Sequence, residues 1–335
     1  MKSLTNSSPM SETNSDTRRS DDPAAARAAL RALRERIVEA TTEVVWRQWS
    51  AVGAMASVST HATALVDPEA LVMMSLTLAP SEPRLGDLVA DWTIRNSDLL
   101  SVQRMRNLAD RYPAMTQARL RGLARIAVSD GKDHRWKSVL DDGNPVEEVL
   151  RRRNKMRAVR TPAVVPAALV LRLRLAFGVG IKADLLAFLL STRVDARAVE
   201  ISRATSYTAD AVRKAAKDLA QARFIDAAAA VSTEYHVSRS AWRVLLGIRQ
   251  LPRWRAWNER FMFVSDFLLW ADNASERALT AYVLDSTGRD VLETHPNAYP
   301  WQRLWQQQSP DTAADGSGLF AVAVNAFADW MLRVA

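Results

Sequence analysis

The sequence predicts a mainly helical, multidomain protein with one short β-hairpin near its middle, and three observations carry that reading. The chain has 335 residues, more than one small core usually organises. Apolar residues recur at helical spacing along both outer thirds. The middle third holds nearly all of the excess positive charge. Hydrophobic residues make up 48% and charged residues 24% of the chain, the composition of a folded protein.

The elements follow in order. Residues 1–22 form a polar tail without the apolar segment of an export signal. From Pro23 to about Ser57, Leu30, Leu33, Ile37, Val44 and Val45 lie near helical spacing between arginines and glutamates. Asp67-Pro68-Glu69 starts the next helix: the aspartate accepts from a free N–H, and the proline sits where no donor is needed. Helices follow over Arg84–Arg95, from Ser101 to about Arg111, and from Pro113 to Gly131. The Arg84–Arg95 and Ser101–Arg111 pair has the form of a second helix-turn-helix, with Arg104 and Arg106 expected outward, although this third's neutral charge favours packing or dimerisation. The expected division is a helical N-terminal domain over 23–140, a basic boundary over 141–166, a central domain over 167–250 and an aromatic-rich helical domain over 251–335.

Charge separates these parts. Residues 1–150 hold 19 Lys/Arg against 20 Asp/Glu, residues 151–250 hold 19 against 7, and residues 251–335 hold 7 against 10. A basic module between neutral or acidic ones is the pattern of polyanion binding; clustered solvated helix faces are the plainer alternative. Six of the ten residues from Arg151 to Arg160 are basic, beside two helix-interrupting prolines, Pro162 and Pro166. The apolar stretch 163–181 carries Arg172 and Arg174 near its centre, so it reads as a buried or partner-facing helix and not a membrane span.

The most informative segment runs from Ile181 to Ser238. Leu185, Leu186, Leu189 and Leu190 give a first helix its apolar stripe. A second is expected after Asp195 as its cap, with Ala198, Val199 and Ile201 inward. The turn Thr205-Ser206-Tyr207 leads to Thr208, which caps a third helix. There Val212, Ala215, Ala216 and Leu219 form one face, and Asp210, Arg213, Lys214 and Lys217 the other. Phe224-Ile225 and Glu234–Val237 read as two short strands. Three cations along about two turns suit entry into a phosphate-walled major groove.

The pattern ISRATSYTADAVRKAAKDLAQARFI resembles the second helix, turn, recognition helix and first wing strand of the winged helix-turn-helix in MarR-, ArsR- and GntR-like regulators. The resemblance covers about 60 residues. It implies a regulator that binds double-stranded DNA, with Tyr207, Thr208, Arg213, Lys214 and Lys217 as the contacting residues; a homodimer is expected because one recognition helix gives limited specificity and two-fold pairing reads two half-sites. Two departures stand out. Ser206 and Arg223 occupy positions where glycine is frequent, and Ala227 to Ala230 at the expected wing tip offer no positive charge. The alternative is a protein-interaction or antitoxin-like partner that uses the same module structurally.

Other chemistry finds little support. The chain has no cysteine and four histidines at no metal-ligand spacing, and it lacks a phosphate-cradling glycine loop and a nucleophile elbow. Glu147 and Glu148 are adjacent and point apart on a helix. No enzyme, cofactor, metal or membrane association is expected, and a cytoplasmic location is. The aromatics from Trp254 to Trp270 are expected to be core, with an effector pocket or dimer seam as the lesser reading.

Overall fold

Asp67 and Pro68 begin a helix as their chemistry requires: the Asp67 carboxylate accepts from Ala70 N–H at 3.1 Å. The computed structural model describes residues 22–54, 62–140, 165–228, 233–307 and 318–335. The polar tail to residue 21, the basic run from Arg151 to Arg160 and the Glu147-Glu148 pair lie outside the described residues.

The described residues are mainly helical, with one small three-stranded sheet. In chain order the first group is α1 (Pro23–Ala51), α2 (Pro68–Leu78), α3 (Pro83–Asn96), α4 (Val102–Ala109), α5 (Ala114–Ser129) and α6 (Lys137–Leu140). The central group is α7 (Leu169–Phe177), α8 (Ile181–Ser191), β1 (Ala196–Arg197), α9 (Ala198–Thr205), α10 (Ala209–Gln221), β2 (Asp226–Ala228), β3 (Glu234–His236) and α11 (Arg239–Leu246). The last group is α12 (Trp257–Ser275), α13 (Ala281–Thr294), α14 (Trp301–Gln307) and α15 (Leu319–Val334).

Two cores result, and they do not follow the chain in three steps. The first joins α1–α6 to α12–α15, so segments 23–140 and 251–335 share one interior where the sequence pattern suggested a domain for each. The reason is long-range complementarity. The 29-residue α1, roughly 44 Å long, lies against α15 and α12. Ion pairs from Arg36 to Asp329 at 2.5 Å and from Arg34 to Asp272 at 2.7 Å line this seam. Arg47 donates to the Leu332 carbonyl at 2.9 Å. Beyond Glu69 in its first turn, α2 is largely apolar on every side and buried along its length except at Thr77, as befits a helix at the centre of a bundle. Trp257, Phe261 and Phe267 are buried in this core, whereas Trp254 packs on Phe188 of the other one.

The second core gathers α7–α11 and the sheet, and is therefore inserted between two halves of the first. The apolar stretch 163–181 divides at Gly178 and Gly180, whose φ values of 81° and 145° are open to glycine and strained for other residues. The strands run antiparallel in the order β1-β3-β2, with Ala196 opposite Tyr235 and Ala227 opposite Tyr235 from the other side. The hairpin begins two residues later than the Phe224-Ile225 reading. Phe224 instead packs with Phe177 and Trp242, fastening hairpin, α7 and α11 together. α9 starts at Ala198 and not directly after Asp195, because Ala196 and Arg197 are drawn into the sheet. The Glu200 carboxylate then accepts from Arg197 N–H at 2.8 Å.

The shared first core makes a direct prediction. Phe327 is fully buried on α15 and meets Phe263 edge-on at 4.9 Å between centroids, with Tyr299, Trp301 and Trp330 around it. Phe327→Ala should destabilise the protein by about 3–5 kcal/mol. In denaturant unfolding, fluorescence from both flanking segments should shift in one transition; two separate transitions would contradict the single core.

Candidate nucleic-acid interface

α10 places its residues by simple periodicity. Val212, Ala215, Ala216 and Leu219 are buried, and Thr208, Asp210, Arg213, Lys214 and Lys217 are exposed. Thr208 caps the helix, its hydroxyl accepting from Ala211 N–H at 3.3 Å. Arg213 is paired with Asp210 one turn back. Lys182 on α8 pairs with Asp218 at 2.8 Å. Lys214 and Lys217 have no ion-pair partner among the described residues and present their charge to solvent.

Tyr207 behaves differently from its expected role. Its hydroxyl donates to Asp184 Oδ2 at 2.9 Å and lies 3.1 Å from Ser101 Oγ. Burial, then the Asp184 carboxylate, raises its pKa, so it stays a neutral donor. Its polar end is turned into the protein and is not available to a ligand. Val199, expected inward, is 54% exposed, and the packing of α9 rests on Ala198, Ile201 and Thr205.

The turn before α10 is clasped by α4. Arg104 Nε donates to the Thr205 carbonyl at 2.9 Å, and Asn107 Nδ2 donates to the Ser206 carbonyl at 2.7 Å. These donors satisfy carbonyls that the end of a helix leaves without partners. Ser206 adopts the left-handed conformation, with φ 59°. Arg223, before the hairpin, does the same. Gln103 donates to Asn107 at 2.9 Å, and Arg106 joins these two on the wall of a hollow between α4 and α5. Arg106 is exposed as expected. Arg104 is not: it is 3% exposed and belongs to the interior.

Beneath the turn lies a buried network of five charges. Arg104 donates to Asp67 at 2.7 and 2.5 Å and to Glu69 at 2.7 Å. Arg174 on α7 donates to Glu69 at 2.6 and 2.9 Å, to Asp184 on α8 at 2.9 and 3.0 Å, and to the Leu99 carbonyl at 2.8 Å. Every N–H of Arg174 is thereby used, a match that a guanidinium permits and an ammonium does not. Glu69 also accepts from Ser101 N–H at 2.8 Å. Burial by itself would raise the Glu69 carboxyl, but Arg174 and then Arg104 hold it down at about 2. Burial works against both arginines too, and the carboxylates around them raise their pKa values.

The signals for this network were sparse charges in apolar surroundings: Arg174, with Arg172, in LVLRLRLAF and Asp184, with Lys182, in IKADLLAFLL. Such residues are retained in a core when paired. Their partners on α2 and α4 have no local signature. Comparison with known proteins finds no family model, no curated protein and no solved structure that matches the chain.

Two stability measurements follow. Glu69→Gln should lower stability most above about pH 4.5, where the folded and unfolded native carboxyls are both ionised. Its deficit relative to the native protein should shrink as the pH falls from about 4.5 toward about 2; a deficit independent of pH would contradict the assigned charge. Ser206→Gly relieves a left-handed non-glycine residue and should raise stability by about 0.5–1 kcal/mol. A lower denaturation midpoint would count against that strain.

Proposed function

We propose that the central unit is a winged helix-turn-helix and that the chain is a transcriptional regulator binding double-stranded DNA through α10. The order helix α8, strand β1, helices α9 and α10, then an antiparallel β2–β3 hairpin on β1 supports the fold assignment. The observation that carries the DNA reading is the outer face of α10, where Lys214 and Lys217 stand exposed and form no close ion pair among the described residues, Asp218 being paired with Lys182. Arg213 can exchange Asp210 for a phosphate, since both are solvent-exposed and such pairs contribute little. Arg106 on α4 would add a phosphate contact beside the turn. Tyr207 is withdrawn from the contact set and assigned to holding the turn. Two chains related by a two-fold axis would read two half-sites.

A protein-binding role for the same module has one observation in its favour. Val244 and Leu245 on α11 are 83% and 68% exposed, an apolar pair that a partner helix could cover. Salt separates the two readings, because phosphate contacts release counterions and apolar contacts do not.

The test is binding of the intact protein to DNA from upstream of its own gene and to unrelated DNA, across a salt series. The folded variant Arg213→Glu, Lys214→Glu, Lys217→Glu should lose binding, and any residual binding should show a log–log salt slope shallower by about 3. Equal binding by native and variant proteins would remove α10 from the interface. Absence of DNA binding by the native protein would favour the protein-partner reading.

A further inference from the structure

A cavity of about 410 Å³ lies where the two cores meet. Its walls come from four stretches: residues 62–64, the turn at Pro166-Ala167, the connection 250–255 that leads into α12, and the end of α15. Three arginines, Arg253, Arg255 and Arg333, line it, with Thr63 and Gln250 as further polar groups; no acidic residue lines it among the described residues. The remaining wall is aliphatic, including Pro166, Leu251 and Pro252.

Among the described residues no Asp or Glu side chain accompanies this cluster, and the nearest carboxylate is the main-chain one of Ala335, held on Thr63. Among the described residues Arg253, Arg255 and Arg333 make no ion pair, and Arg255 Nε is buried without a hydrogen-bond partner. Arg260 stands behind them, stacked 4.5 Å from the Trp330 ring centroid, and its Nε is likewise unpartnered. The carboxylate of neighbouring Glu259 faces Arg111 at 3.7 Å. The Ala335 oxygen accepts from Thr63 N and Oγ1 at 3.3 and 3.1 Å. Burial and then Arg253 lower the Arg255 pKa; burial and then Arg255 bring Arg260 down to about 10. Ala256, between Arg255 and α12, is held at φ 45°, a left-handed conformation strained for alanine. Buried donors, like charges in proximity and local backbone strain persist together where a ligand rewards them.

We propose that this cavity binds a small organic anion, its carboxylate or phosphate clamped by Arg253, Arg255 and Arg333 and its compact apolar body resting on Pro166, Leu251 and Pro252. A planar guanidinium meets either oxyanion with two parallel donors. The volume lies in the range of small-molecule sites. The site is separate from α10 and does not depend on DNA binding.

The experiment uses the full chain with phenyl phosphate, benzoate and inorganic phosphate as probes, read by titration calorimetry and thermal unfolding at ionic strength matched with sodium chloride. Phenyl phosphate or benzoate should bind saturably, more tightly than inorganic phosphate, and raise Tm by about 3–5 °C at saturation. Which of the two binds better identifies the anionic group. Arg255→Gln should weaken binding at least tenfold, and without anion it should melt no lower than the native protein, since an unpaired cation is removed. The exposed Arg333→Gln should weaken binding several-fold and carries the test if Arg255→Gln fails to fold. The α10 triple variant should bind the probes normally. The proposal is overturned if native binding does not exceed the chloride control, if Arg333→Gln and Arg255→Gln bind as the native protein does, or if inorganic phosphate matches both organic probes.

Discussion

The junction between the two cores depends on five charges that have left water together. Asp67 and Glu69 at the start of α2, Arg104 on α4, Arg174 on α7 and Asp184 on α8 are each 4% exposed or less. Removing ions of this size from water costs several kcal/mol apiece, and their mutual attraction offsets it only when geometry is close and remaining donors and acceptors are satisfied. Both conditions hold: Glu69 bridges the two arginines, and Leu99, Thr205, Ser101 and Tyr207 take up remaining hydrogen-bonding positions. An assembly of this kind tolerates little displacement, because moving one core relative to the other strands a charge. It therefore defines how the inserted unit sits on its frame more sharply than apolar contact could.

That constraint reaches the outer surface through the turn before α10. Arg104 holds the end of α9, Asn107 holds Ser206, and Tyr207 is anchored on Asp184. The first turn of α10 thus begins from a rigid base, while its basic face stays free of the core. Rigid support behind a solvent-facing row of cations is what a surface for phosphate recognition needs. The same clasp sets Asn107 of α4 against the turn that leads into Thr208. The arginine-lined cavity belongs to the same junction and contrasts with the buried network: there, positive charge meets its acid partners inside the protein, and here the described residues supply no Asp or Glu to pair with it.

Legibility in the sequence divided along the range of the interaction. The start of α2 at Asp67-Pro68, the cap at Thr208 and the buried and exposed faces of α10 were all readable, because each depends on residues within a turn or two of one another. The start of α9 was misread at Asp195, since pairing of Ala196 and Arg197 with β3 was stronger than local capping. Arg104 and Tyr207 looked like surface residues because arginine and tyrosine in polar helix-and-turn segments usually are. Their partners lie 37 and 35 residues away for Arg104 and 23 for Tyr207, beyond any periodic pattern.

By itself the sequence determined that this chain is mainly helical, where several of its helices begin, that the positive charge is concentrated in the middle third, and that α10 is two-faced. These follow from side-chain periodicity and capping, which are local. Tertiary structure alone decided that the two flanking segments share one core, that Arg104 and Arg174 meet across Glu69, and that Tyr207 faces inward. Each of these joins residues far apart in the chain, such as Arg36 with Asp329 or Glu69 with Arg174. Which buried charge finds which partner depends on how whole helices pack, and no window along the sequence contains that information.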